Sequence, residues 1–200
     1  MVLKSLKNKY GLNGDKKTVL YAPTWIHNKN LIKNEFMNPK NIGFIEYLDS
    51  IAEDLRIEII FRPHLNTNFS KNEINKINKM ENIFFMPQSI YDHVEDLLIL
   101  SEILITDYSS ISLDYILLEK PVLFLNVKSS FNLGEFDSEF LRYGKEVDHK
   151  EIKEYIKKYL NQKIDYFKDC PNHITTMNKL YDDLDTFAST RYLERISKYF

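Results

Sequence analysis

Three short polar turns carry most of the chemistry that this sequence offers, and each follows an apolar run. Thr24 and Trp25 end the run at 18–24, Arg62-Pro63-His64 ends the run at 57–61, and Asp107-Tyr108-Ser109-Ser110 ends the run at 103–106. Arginine, histidine and serine are the side chains that bind phosphate oxygens through charge and N–H or O–H donors. Ser109 and Ser110 stand where a helix should begin, so their hydroxyls and the unpaired backbone N–H groups of its first turn point at one small volume. Asp114 lies four residues beyond Ser110, one turn up the same face, within reach of a ribose hydroxyl. Taken alone, either serine reads as a plain helix cap worth about 1 kcal/mol. A ligand is expected because the three turns would converge on one edge of a parallel sheet.

Glycine usage narrows what that ligand meets. No G-x-G-x-x-G follows a strand and no G-x-x-x-x-G-K-[ST] occurs, so neither the dinucleotide fingerprint nor the P-loop applies. A phosphate here would be held by hydroxyls, a helix N-terminus and His or Arg side chains.

The elements that position these turns alternate in type. Apolar runs at 18–24, 57–61, 83–86, 103–106 and 121–125 read as strands, the last entered through Pro121 at its first position. Between them, 42–55, 71–79, 94–101 and 109–118 read as helices, so the fold class is α/β, a doubly wound parallel sheet of Rossmann-like type. Residues 131–148 read as irregular, and 151–160, about 174–184 and 189–199 as closing helices. Residues 1–17 form a lead-in, and 18–200 one nucleotide-donor-binding domain.

Composition fits that outline. With 200 residues, 44% hydrophobic and 28% charged, the chain suits one globular core. A net charge of −2 argues against a dedicated nucleic-acid binder. The single cysteine, Cys170, excludes an internal disulfide and a cysteine-pair zinc site. The lysine-rich first ten residues have no apolar core for a signal peptide, and no stretch approaches the roughly 18 apolar residues of a membrane span. The expectation is a cytoplasmic protein without metal or cofactor.

Other candidates weigh less. Trp25 is either core or an aromatic wall of the cleft. Asp183-Leu184-Asp185 mimics a metal-holding acidic pair but sits in a polar helical stretch, where it reads as a solvated face. His27, His93, His149 and His173 show no metal-ligand spacing. Asp92 reads as a helix cap.

Leu20-Tyr21-Ala22-Pro23-Thr24, Phe61-Arg62-Pro63-His64 and the block at 96–125, with T-D-Y-S-S-x-x-x-D ahead of Lys120-Pro121-Val122, resemble the CDP-glycerol glycerophosphotransferase family. These are the bacterial teichoic-acid polymerases and primases and related capsule enzymes. The resemblance covers 17–125 in order and spacing, and more loosely the chain to about 160. It implies the C-terminal half of a GT-B architecture, which binds the donor nucleotide, and an EC 2.7.8-type transfer of polyol phosphate from CDP-glycerol with release of CMP. It places His64, Ser109, Ser110 and Asp114 on donor-binding positions, with His64 in a catalytic role beside the pyrophosphate. Thr24, Arg62 and Asp107 complete the expected site.

The family's catalytic-base histidine belongs to an N-terminal acceptor domain, in a Trp-His-Gly-like motif that this sequence lacks. The implied partners are a CDP-glycerol-like donor, a polymer or lipid-linked acceptor, and that acceptor domain in cis or trans. Membrane association would be only peripheral, on the inner face of the plasma membrane. Two other readings stay open: a GT-B glycosyltransferase using a nucleotide-sugar, and a nucleotide-binding module that acts only with a partner chain.

Overall fold

In the computed structural model, which describes residues 2–24, 36–127, 141–181 and 187–197, four strands are buried along their whole length. They are β1 (Thr18–Tyr21), β2 (Glu58–Phe61), β4 (Ile103–Thr106) and β5 (Val122–Leu125). With β3 (Ile83–Phe85) and β6 (Lys145–Val147) they form one parallel sheet in the order β3-β2-β1-β4-β5-β6. Such a strand must be apolar on both sides, which explains the continuous runs in the sequence. Val19, Tyr21, Ile59, Phe61, Ile103, Ile105, Leu123 and Leu125 face one core, and Leu20, Ile60, Leu104, Val122 and Phe124 face the other.

Helices cover both faces. On the first lie α2 (Ile42–Leu55), through Phe44, Ile45, Leu48 and Ile51, and α6 (Ile152–Asn161), through Ile152, Ile156 and Tyr159. Further along, α3 (Lys71–Ile77) adds Ile77 and α7 (Lys163–Asp169) adds Tyr166. The second face is covered by α4 (Val94–Leu100), α5 (Ile111–Ile116) and α8 (Asn172–Leu180), with Leu97, Leu100, Tyr115, Ile116 and Met177 inside. Local chemistry sets several starts. Asn41 accepts from Gly43 N–H at the head of α2, Ser70 and Glu73 form a capping box on α3, and Asp148 and Glu151 form one on the 3-10 turn before α6. The chain ends in α9 (Ala188–Ile196).

Three elements differ from the sequence reading. The lead-in carries α1 (Val2–Lys9), bound to α4 by Lys9 Nζ to Asp96 at 2.8 Å and the Tyr10 hydroxyl to Asp96 at 2.6 Å. Those contacts are 87 and 86 residues apart in sequence, so no local pattern announces them. Edge strand β6 lies within the stretch read as irregular; only Val147 of its three residues is buried, too little for an alternating signal. Helix α7 was not expected, because Tyr166 is its one described buried residue. Asp183, Asp185, Trp25 and His27 lie outside the described residues.

The entry to β6 depends on Gly144. A Cβ there would stand 2.5 Å from the Val122 carbonyl oxygen and 3.0 Å from the Val122 side chain, in the neighbouring strand. Neither a carbonyl inside a sheet nor a β-branched residue yields readily. Gly144→Ala should therefore cost roughly 1–3 kcal/mol of stability, read as a lower urea midpoint at constant m-value. An unchanged midpoint would mean that β6 can shift off β5 at no cost.

Candidate functional site

Strand order reverses between β1 and β4, because the chain winds outward from β1 through β2 to β3 and then returns to place β4 on β1's other side. At such a reversal the connections leave in opposite directions, and a crevice opens beyond the carboxyl ends of the two strands. Register brings the turns level: Tyr21 pairs with Phe61 on one side and with Ile105 on the other. The residues that follow, Ala22, Arg62 and Thr106, thus surround one opening.

The opening is closed at its base by side chains reaching across the gap. The Thr24 backbone N–H donates to Asp107 Oδ1 at 2.8 Å, and the Thr106 hydroxyl donates to the Ala22 carbonyl at 2.7 Å. Both residues that the sequence marked here, Thr24 and Asp107, are buried, at 8% exposure each. Burial pushes the Asp107 carboxyl above the usual carboxylate range, while N–H groups of Thr24, Tyr108 and Asp107 itself, and the Arg142 charge, pull it back. Neither residue lines the cleft above; they hold its floor.

That cleft has a volume of about 230 Å³ and gathers Arg62, His64, Gln88, Ser109, Ser110 and Asp114 with the Ala22-Pro23 backbone. Five of the seven expected site residues therefore share one wall. Arg62 is buried and donates from Nη1 to the Tyr91 carbonyl at 2.6 Å, which fixes its guanidinium between the turns after β2 and β3. Burial lowers its pKa, opposed by the nearby Glu95, Tyr10 and Asp92. His64 Nδ1 accepts the Asn66 backbone N–H at 3.1 Å, so in the neutral ring Nε2 carries the proton. Ser110 occupies the N-cap position of α5, yet its side chain makes no capping hydrogen bond. The plain-cap reading of that serine is thus not what the fold uses.

Helix α5 has only six residues, too few to be stable alone, and side chains from the C-terminal part grip its carbonyls. The Tyr143 hydroxyl donates to Ser112 O at 2.6 Å and the Tyr181 hydroxyl to Leu113 O at 3.0 Å. Fully buried His173 lies 3.1 Å from Ile116 O through Nε2 and 2.7 Å from the Tyr166 hydroxyl through Nδ1. A carbonyl only accepts, so Nε2 holds the proton and the tyrosine donates to Nδ1. His173 is structural, as its spacing suggested. His149 packs edge-on to Phe36, and Asp92 does not cap α4, whose N-cap is His93 without a side-chain bond. Among the described residues no three His, Cys, Asp or Glu side chains gather as a metal site.

Two further cavities adjoin the cleft. One, of about 530 Å³, shares Pro63, His64 and Gln88 with it and is walled by Phe69, Phe85 and Tyr91. Thr67 Oγ1, on that wall, is buried without a hydrogen-bond partner. The other, of about 130 Å³, lies behind the serine turn and includes Ser109, Ser110, Tyr108, Phe124 and Arg142. Gln88, which lines the cleft, and Arg142, which lines the cavity behind the serine turn, were not singled out in the sequence. Gln88 follows β3 as the other polar residues follow their strands, and that rule would have found it. Arg142 carries no comparable signal.

The sequence profile described as CDP-glycerol:poly(glycerophosphate) glycerophosphotransferase matches residues 2–130. The teichoic acid poly(glycerol phosphate) polymerase of Bacillus spizizenii is 34% identical over 119 residues, 60% of this chain and 28% of that protein. A teichoic acid poly(ribitol-phosphate) polymerase of the same organism is 30% identical over 204 residues, 98% of this chain and 30% of its own length. This chain thus spans less than a third of either relative. Among solved structures, the wall teichoic acid polymerase TagF has the same fold, with a TM-score of 0.61 at 20% identity over 97% of this chain and 45% of that one. The doubly wound sheet is accordingly the Rossmann-like half of a GT-B architecture. Because the profile covers more than half of the chain and runs through every turn that lines the cleft, the chain belongs to the CDP-glycerol:poly(glycerophosphate) glycerophosphotransferase family.

Proposed function

We propose that this chain is the donor-binding domain of a glycerophosphotransferase, which moves a polyol phosphate from a CDP-glycerol-like donor to a teichoic-acid or capsule acceptor. The observation that carries this reading is the meeting of Arg62, His64, Ser109, Ser110 and Asp114 in one cleft at the strand-order reversal. A pyrophosphate there meets a guanidinium, an imidazole and two hydroxyls, and Asp114 stands ready to accept from a ribose hydroxyl. The adjoining 530 Å³ cavity, with its aromatic walls, has room for the base.

In the reaction an acceptor hydroxyl attacks the β-phosphorus. The bond from that phosphorus to the bridging oxygen breaks, and CMP leaves with the electron pair. His64, Arg62 and the serine hydroxyls meet the negative charge on the departing phosphate, each contact typically worth about 1.5–3 kcal/mol. The acceptor's proton goes to a base on the opposite wall of the cleft, supplied by an acceptor-binding domain. We place the protein in the cytoplasm, against the inner face of the plasma membrane, where a lipid-linked acceptor is within reach. No helix among the described residues is long and apolar enough to cross a membrane.

Three measurements test this reading. Calorimetry with a nucleotide panel should show CDP and CMP binding ahead of ATP and NAD. Tighter binding of UDP would point to a nucleotide-sugar donor, and tighter binding of NAD would overturn the site assignment. Ser110→Ala should weaken CDP binding roughly tenfold or more, as expected for one lost bond to a charged group, while stability moves by less than about 0.5 kcal/mol. A drop in melting temperature at unchanged affinity would return the serine to a capping role. Expressed by itself, this chain should bind donor without extending a glycerophosphate primer, and an acceptor domain added in cis or trans should restore CMP release. Primer-dependent CMP release without that domain would place the base among residues read here as structural.

A further inference from the structure

Arg142, just ahead of β6, has a side chain 8% exposed, sunk against the carboxyl ends of β4 and β5. Its Nη1 donates to the Asp107 carbonyl at 3.2 Å, its Nη2 to the Leu125 carbonyl at 3.1 Å, and its Nε to the Glu146 carboxylate. The guanidinium carbon also sits 4.7 Å from the Tyr108 ring centroid and 5.0 Å from that of Phe124. One planar group therefore ties the ends of β4 and β5 to a side chain of β6 and holds both handles of the serine turn, the Asp107 backbone and the Tyr108 ring. Asp107 is gripped twice, by Thr24 N–H at its carboxylate and by Arg142 at its carbonyl. What leaves this double anchor is Ser109-Ser110, and the Ser110 side chain makes no capping bond of its own.

We propose that Arg142 is a positioning residue for donor binding: it sets the peptide between Asp107 and Tyr108 so that the Ser109 and Ser110 hydroxyls aim at the donor phosphate. It acts through the turn and not by touching the ligand, and the inference rests on the donor-site reading given above. Lysine cannot substitute. A single ammonium on a flexible stem does not span two carbonyls and a carboxylate while stacking between rings.

The test is a double-mutant cycle in the full chain, read by calorimetry with CDP and by urea unfolding. Arg142→Met should weaken CDP binding tenfold or more, and Arg142→Lys should recover little of the loss. In a Ser110→Ala background the Arg142→Met loss should shrink at least threefold, because the arginine acts through that serine. Glu146→Gln, which leaves both carbonyl contacts in place, should change CDP affinity less than twofold. Full additivity of the two losses, or unchanged affinity in Arg142→Lys, would overturn the proposal. If Arg142→Met does not fold, Arg142→Lys takes its place in the cycle. If the wild-type chain does not bind CDP, the donor-site reading falls, and amide spectra of the free protein still decide the positioning role. The Ser109 and Ser110 resonances should move in Arg142→Lys and stay in Glu146→Gln; the reverse would refute it.

Discussion

The buried carboxylate of Asp107 takes the Thr24 N–H across the gap between β1 and β4, and the geometry of the crevice follows from that one bond. Strands whose connections diverge leave backbone groups unpaired just past the sheet, and a buried unpaired N–H costs about 1–3 kcal/mol. A carboxylate with a short stem satisfies several such donors from one point, and the N–H groups of Thr24, Tyr108 and Asp107 itself all turn toward it. Burial raises its pKa and so counts against it, and those donors offset part of that penalty. The turn after β1 and the turn after β4 then move as one unit. The polar residues beyond them inherit a fixed spacing.

The C-terminal half has a mechanical role in the same site. Helix α5 begins at the serine turn and is too short to hold itself, and its outer carbonyls are taken by Tyr143, Tyr181 and His173. All three come from segments beyond β5, so the C-terminal part of the chain braces the helix that the serine turn begins. Arg142 works from the same direction, on the floor instead of the helix. Residues that line the cleft and residues that brace its turns are thus separated along the chain, with the first before β5 and the second after it.

This division suits the proposed donor site, which would hold phosphate without a glycine loop. A glycine loop brings backbone N–H groups close because nothing projects from it, whereas here side-chain donors do the work and must themselves be held. Arg62 is tied by Tyr91 O, and His64 by Asn66 N–H, so each donor enters the cleft with one bond already spent on orientation. The chain's near-neutral net charge is no obstacle, because the cation that matters is fixed at the crevice and shielded from bulk water.

The sequence by itself determined the class of fold and the edge of the sheet at which the polar turns gather. Strands buried on both sides leave continuous apolar runs, amphipathic helices leave a 3.6-residue period, and polar residues just past a strand mark the carboxyl edge. These are local signals, and Arg62, His64, Ser109, Ser110 and Asp114, which line one cleft, were all singled out through them. What the tertiary structure alone decided were roles set by contacts between distant segments. It moved Thr24 and Asp107 from the cleft's lining to its floor, freed Ser110 from capping, and gave α1, β6 and Arg142 their places. Asp107 and Thr24 are 83 residues apart, and Arg142 and Asp107 35. A contact at that separation depends on strand order, and periodicity along one strand or helix carries no information about which strand will lie beside it.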